Sequence, residues 1–344
     1  MNLDLLYKLL KTPSPSGHEL EIQKVVIEEM KEFADEFYKQ QNMNLITAIN
    51  TESPVKVLLS GHIDEISLLI DKVYDNGTCR VLRNGGIRPY AYTCQHVYVL
   101  TKNGLVPGVF GYLPGMDKDA PKYEDLILDL GTTSKEETLA LVEVGDPVIH
   151  QYEYEHLYGD TFAARALDDR LGAYICLEAM KKAKAKGTKN GVYVSTTVGE
   201  ETTGRGAMSA AELVKPTCAI IVDVTYANDV KYLEYHSGEV CLGKGPTLTW
   251  GSLMNKKIHE KMLELSKKLG FNVQYDVCPS RTYTDTDNIF SRFDGVPCYL
   301  VNIPLRYMHS SVEVGSLKDV EHIVNLLVEF IKGLDESISF DPFN

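Results

Sequence analysis

VKVLLSGHID (55–64) is a mostly apolar run that ends abruptly in chemistry-bearing residues, and its reading decides the fold. Three further segments have the same form: GVYVSTTV (191–198), CAIIVDV (218–224) and PCYLVNI (297–303). Near-continuous apolar strands belong to sheets covered on both faces. Helical stripes separate them: Leu167, Leu171, Tyr174, Ile175 and Ala179; Ile258, Met262, Leu265 and Leu269; and Leu317, Val320, Ile323, Val324, Leu327 and Ile331. The alternation predicts an α/β fold, a three-layer αβα domain around a central mixed sheet. The first 40 residues read as helix, with Ser16 and Glu19 as a capping box ahead of Ile22, Val25, Val26, Met30 and Phe33.

The stretch from 67 to 160 is different. Turn signals recur at close spacing: Asn76-Gly77, Asn84-Gly85-Gly86, Asn103-Gly104 and Pro114-Gly115. No long helical stripe lies between them. We expect a small β-rich domain, 67–160, inserted into a discontinuous main domain made of 1–66 and 161–344. HQYEYEH (150–156) reads as a strand returning to the main domain.

Composition narrows the function. The 344 residues are 44% hydrophobic and 24% charged, ordinary for a globular protein with a large core. A net charge of −13 argues against nucleic-acid and anionic-membrane partners, which reward clustered positive charge. No apolar run reaches 18 residues, and the N-terminus lacks the form of a secretory signal. The seven cysteines are odd in number and scattered, without C-x-x-C, so neither a disulfide framework nor a zinc ribbon is expected. The expected location is the cytoplasm.

The polar clusters gather at predicted strand ends, where open α/β sheets bind ligands. They are His62-x-Asp64-Glu65, Asp168-Asp169-Arg170, Glu200-Glu201, Asp223 and Arg306-Tyr307-Met308-His309. No G-x-S-x-G, Walker loop or G-x-G-x-x-G occurs. Imidazole mixed with hard carboxylate oxygens suits Zn, Co or Mn. Each cluster taken singly has a bland reading: a hydrogen-bonded core histidine, an Asp N-cap, a solvated pair of glutamates. Asp223 is harder to dismiss, because an unpaired carboxylate at the end of an apolar strand is costly.

SGHIDEISLLI, ALDDRLGAYICLEAM, TVGEETTGRGA, IIVDVTYA, the TDTD of 284–287 and IPLRYMHSSVEV, in this order, resemble the glutamyl-aminopeptidase family of dinuclear metallopeptidases. That family includes the TET-type aminopeptidases, and some members have carried endoglucanase labels. Thr203 stands where glycine is expected, and Arg281-Thr282-Tyr283 where small residues are usual. The resemblance implies two divalent metal ions per subunit, Zn or Co first and Mn next. It implies His62, Asp168, Glu201, Asp223 and His309 as their ligands, with Asp168 shared and Glu201 on either the His62 or the His309 side. It implies Glu200 as general base and Asp64 as the carboxylate orienting His62. It further implies peptide substrates cut at their N-terminus, and a homo-oligomer, up to a twelve-subunit shell, built through the insert. An endoglucanase would need two free carboxylates flanking a sugar and would leave both histidines idle. A non-catalytic peptide-binding scaffold would leave the whole ligand set vestigial. Arg88, Arg205, Arg281 and Arg306 leave acidic and neutral N-terminal residues both open as the preferred substrate.

Overall fold

The computed structural model describes residues 3–115, 117, 121–152, 154–230 and 239–343. An eight-stranded sheet forms its centre, in the spatial order Glu36–Lys39, Leu45–Ile49, Gly191–Thr197, Lys56–His62, Cys218–Tyr226, Cys298–Leu305, Thr247–Gly251 and Gln274–Cys278. The four apolar runs singled out above are its middle. They are mutually parallel, with His62 opposite Thr197 and Asp223 opposite Asn302. Leu45–Ile49 and Thr247–Gly251 add antiparallel on either side, so the sheet is mixed as expected. Every residue of Gly191–Thr197 and Cys298–Leu305 is buried, as a sheet covered on both faces requires.

The helices Leu167–Ala185 and Leu317–Lys332 pack together and supply much of this cover. Two glycines let the first approach the sheet. A Cβ on Gly61 would lie 2.5 Å from the amide nitrogen of Ala173, and one on Gly172 would lie 2.5 Å from the carbonyl of Val222. Neither is attainable without moving backbone, so the helix start, with Asp168 and Asp169, is fixed against the strand ends.

Six strands close into a barrel, in the order Ser67–Val73, Cys79–Asn84, Ile127–Asp129, Gly104–Phe110, Gln95–Thr101 and Pro147–His150. The barrel has its own core, including Leu68, Val81, Val97, Phe110, Leu128 and Val148. Its one α-helix among the described residues, Lys135–Leu141, is short and capped by the Ser134 hydroxyl. Tyr154–His156 pairs instead with Thr161–Ala164, which pairs with Glu313–Ser316.

The N-terminal region differs from expectation in two ways. It holds two helices, Asp4–Lys11 and Leu20–Met30, followed by an edge strand, Glu36–Lys39, rather than helix throughout. The capping box does not form. The Ser16 hydroxyl donates to Asp64 at 2.6 Å, and Glu19 accepts from the amides of Gly17 and Gly199. Tertiary partners near the strand ends outcompete the local cap.

Candidate metal centre

The parallel middle of the sheet delivers its C-terminal ends to one edge. His62 ends Lys56–His62, Glu200 and Glu201 follow Gly191–Thr197, Asp223 lies near the end of Cys218–Tyr226, and His309 follows Cys298–Leu305. Asp168 arrives from the helix start facing them. All six line one cavity of about 650 Å³.

Both imidazoles are oriented in the same way. His62 Nδ1 lies 3.2 Å from the carbonyl of Asp64, and His309 Nδ1 lies 2.8 Å from the carbonyl of Gly86. A carbonyl only accepts, so each Nδ1 carries a hydrogen and each Nε2 is turned to the carboxylates. His62 Nε2 is 3.1 Å from Asp168 Oδ1 and 3.8 Å from Glu200 Oε2. His309 Nε2 is 3.1 Å from Asp168 Oδ2 and 3.4 Å from Glu201 Oε1. Ligand atoms of His62, Asp169 and Asp223 lie within 4.8 Å of one another, as do those of His62, Asp168 and Glu201. Glu201 Oε1 is buried and accepts no hydrogen bond.

So much buried negative charge perturbs every member. Burial, against the pull of His62, pushes the Glu200 carboxyl well above its usual range, with Asp223 adding to the rise. Burial does the same to Asp223 and Asp169. Asp168 goes the other way: burial opposes its ionisation, but hydrogen bonds from His309 and His62 outweigh that and hold it low. Five acidic side chains facing two imidazoles form a donor set rich in oxygen and short of cations. Divalent metal ions supply the missing positive charge in such sites.

The residues behind the site are more numerous than the motifs alone indicate. Asp64 does more than stand 3.5 Å from His62 Nδ1. Its carboxylate also accepts from the amides of Glu200, at 3.1 Å, and Glu201, at 3.3 Å. Asn44 accepts from the Val198 amide and Glu19 from that of Gly199. The turn carrying both glutamates therefore hangs on three side chains. Asp169 accepts from the amides of His62 and Gly172. Glu313, pushed up to about 8 by burial, accepts from the amides of His309 and Asp168. Asp285, from the TDTD segment, accepts from Thr197 and Ser60. Glu65, despite its place beside Asp64, is held away from the cluster by Arg165 and Arg170. Asn44 lies in no motif, Glu19 read as a helix cap, and Glu313 sits in the IPLRYMHSSVEV segment without a role of its own, so only the fold reveals what the three support.

The two departures from the family pattern sit on the cavity wall. The Thr203 hydroxyl donates to the carbonyl of Gly199, fitting where glycine is expected. Arg281 pairs with Asp287 at 3.1 Å and lies over the Tyr283 ring. Arg306 is held by both oxygens of Asp229.

The chain's relatives share this arrangement of elements. The TET aminopeptidase of a marine-sediment archaeon, Thaumarchaeota archaeon SCGC AB-539-E09, superposes with a TM-score of 0.91 at 30% identity, over 97% of this chain and 96% of that one. The TET1 peptidase of Pyrococcus horikoshii, described as assembling into a tetrahedron or a large octahedral shell, gives a TM-score of 0.85 at 31% identity over 96% and 99%. The lysyl aminopeptidase of Pyrococcus furiosus is 30% identical over 96% of this chain and 98% of its own length. The family model for the M42 glutamyl aminopeptidases matches residues 43–326, which takes in every strand-end cluster described above, and the chain belongs to that family.

Proposed function

We propose that this chain is a dinuclear metal-dependent aminopeptidase that removes N-terminal residues from peptides. The observation that carries the reading is the Asp168 carboxylate, shared between the Nε2 atoms of His62 and His309 inside one acid-lined cavity. His62 and Asp223 would hold one metal and His309 and Glu201 the other, with Asp168 serving both. The 3.4 Å approach of Glu201 to His309, and the grouping of Asp223 with His62, support that division.

Two divalent cations so held would polarise the scissile carbonyl and acidify the attacking water. The chain's own groups do the rest. Glu200 lines the cavity without a place in either ligand set, and burial raises its proton affinity. It takes the proton of the attacking water and passes it to the departing amine. Asp64 fixes the turn bearing Glu200 and Glu201 and stands beside His62, as carboxylates behind metal-ligating histidines commonly do. Zinc or cobalt suits the donor set best, with manganese next.

We assign 67–160 the role of an assembly domain on a main domain of 1–66 and 161–344. Its separate barrel core and exposed Leu82, Leu105 and Val109 support the reading. The chain would form a homo-oligomer, as large as a twelve-subunit shell, acting in the cytoplasm. None of its helices, among the described residues, is long and apolar enough to cross a membrane. A panel of aminoacyl-anilides, assayed on metal-depleted enzyme reloaded with Zn, Co or Mn, tests the reading. Hydrolysis restored by metal supports it; hydrolysis indifferent to metal removes it.

A further inference from the structure

We infer that the Asn84-Gly85-Gly86 turn of the barrel is a positioning element of the metal centre, setting how firmly the site on the His309 side is held. This rests on the dinuclear reading above. His309 has a left-handed backbone, at φ 62°, in the turn after Cys298–Leu305, and Glu313 of the same segment holds its amide but not its ring. The ring is fixed from across the domain junction. The Gly86 carbonyl accepts from Nδ1 at 2.8 Å, which leaves Nε2 as the ligand nitrogen facing Asp168 and Glu201.

The second glycine is required by space. A Cβ on Gly86 would lie 2.8 Å from His309 Cε1 and 2.9 Å from Nδ1, closer than real Cβ contacts. Its own φ is not positive, so the constraint is room for the imidazole and not backbone conformation. Gly85 does take a left-handed φ of 106°, and a Cβ there would lie 3.5 Å from that of Glu201. The turn is thus bonded to one of the side chains assigned to that metal and runs beside the other. Asn84 anchors it: the side-chain amide donates to the carbonyl of Ser16 at 3.1 Å and to the Ser67 hydroxyl at 3.0 Å. Ser16 in turn donates to Asp64. The seating of the barrel and the orientation of a metal ligand are therefore one structural event.

Partners that orient a metal-bound histidine commonly contribute about 10–100-fold to metal affinity. The test is metal stoichiometry and affinity of full-length Gly86→Ala and Asn84→Ala, read by titration calorimetry and elemental analysis, with kcat and KM alongside. Gly111→Ala, at a site open to solvent, controls for glycine replacement in the barrel. The expected result is one metal equivalent weakened about 10–100-fold in Gly86→Ala and less in Asn84→Ala, the other equivalent kept, and kcat falling more than KM rises. Asn84→Ala adds no bulk, so it carries the test should Gly86→Ala fail to fold. Unchanged affinity for both metals in the folded variants overturns the inference. A wild-type chain that binds only one metal, still weakened by these changes, overturns the dinuclear reading and leaves the positioning role standing.

Discussion

The Asp168 carboxylate is divided between two histidines: Oδ1 lies 3.1 Å from Nε2 of His62, and Oδ2 lies 3.1 Å from Nε2 of His309. His62 ends one strand and His309 follows another, and Asp168 pairs with both. Asp168→Ala should therefore cost both metal equivalents. His62→Ala and His309→Ala should each cost mainly one. Elemental analysis after dialysis decides the matter, and an Asp168→Ala variant that keeps one metal at full affinity would show that the residue is not shared.

Glu200 and Glu201 are neighbours, and the proposed function gives them separate duties. Glu200→Gln keeps the shape and removes the proposed base, so kcat should fall about 10²–10⁴-fold with metal content intact. Glu201→Gln replaces a carboxylate beside His309 with a neutral amide, and metal on that side should weaken. If Glu200→Gln loses metal while Glu201→Gln keeps it, the two roles are exchanged.

The barrel carries a pH liability at His150. Burial pushes its imidazole down to about 4, while Nε2 donates to the carbonyl of Ala91 and the ring stacks on Tyr92. The charge of Arg165 lowers it further, and that of Glu65 partly offsets this. The unfolded chain takes up a proton near pH 6.5 that the folded chain refuses until near pH 4. Stability from this group is thus complete above pH 6.5 and is lost as pH falls towards 4, by about 3 kcal/mol in all. His150→Gln should flatten the acid limb of a calorimetric stability profile between those limits. An acid limb identical to that of the wild type would rule the group out.

Assembly has a simple readout. The full chain is 38.5 kDa, and mass photometry should find particles of twelve copies, or of the dimers that build them. A monomer at micromolar concentration, with or without metal, would contradict the assigned role of the barrel.

Much of this was legible in the sequence because burial writes itself plainly. An apolar run such as CAIIVD can end in a carboxylate only where something repays the charge, and parallel strands carry such ends to one edge. Ser16 and Glu19 misled because a capping box is a local pattern. Their partners, Asp64 and the Gly199 amide, lie far along the chain. Glu36–Lys39 was hidden for a similar reason: a short edge strand borrows its conformation from Leu45–Ile49. The support given to His309 by Gly86 was not readable at all. Asn84-Gly85-Gly86 announces a turn, but nothing in it says which side chain the turn will face.

Metal dependence of peptide hydrolysis is tested by one titration. The chain is stripped with a chelator, then reloaded with zero, one or two equivalents of zinc or cobalt. At each step it is offered aminoacyl-anilides and, in parallel, a soluble cellulose derivative. A dinuclear aminopeptidase gives no anilide hydrolysis without metal, full activity only near two equivalents per chain, and an untouched polysaccharide throughout. Anilide hydrolysis by the stripped chain, or release of reducing sugar without metal, would contradict it.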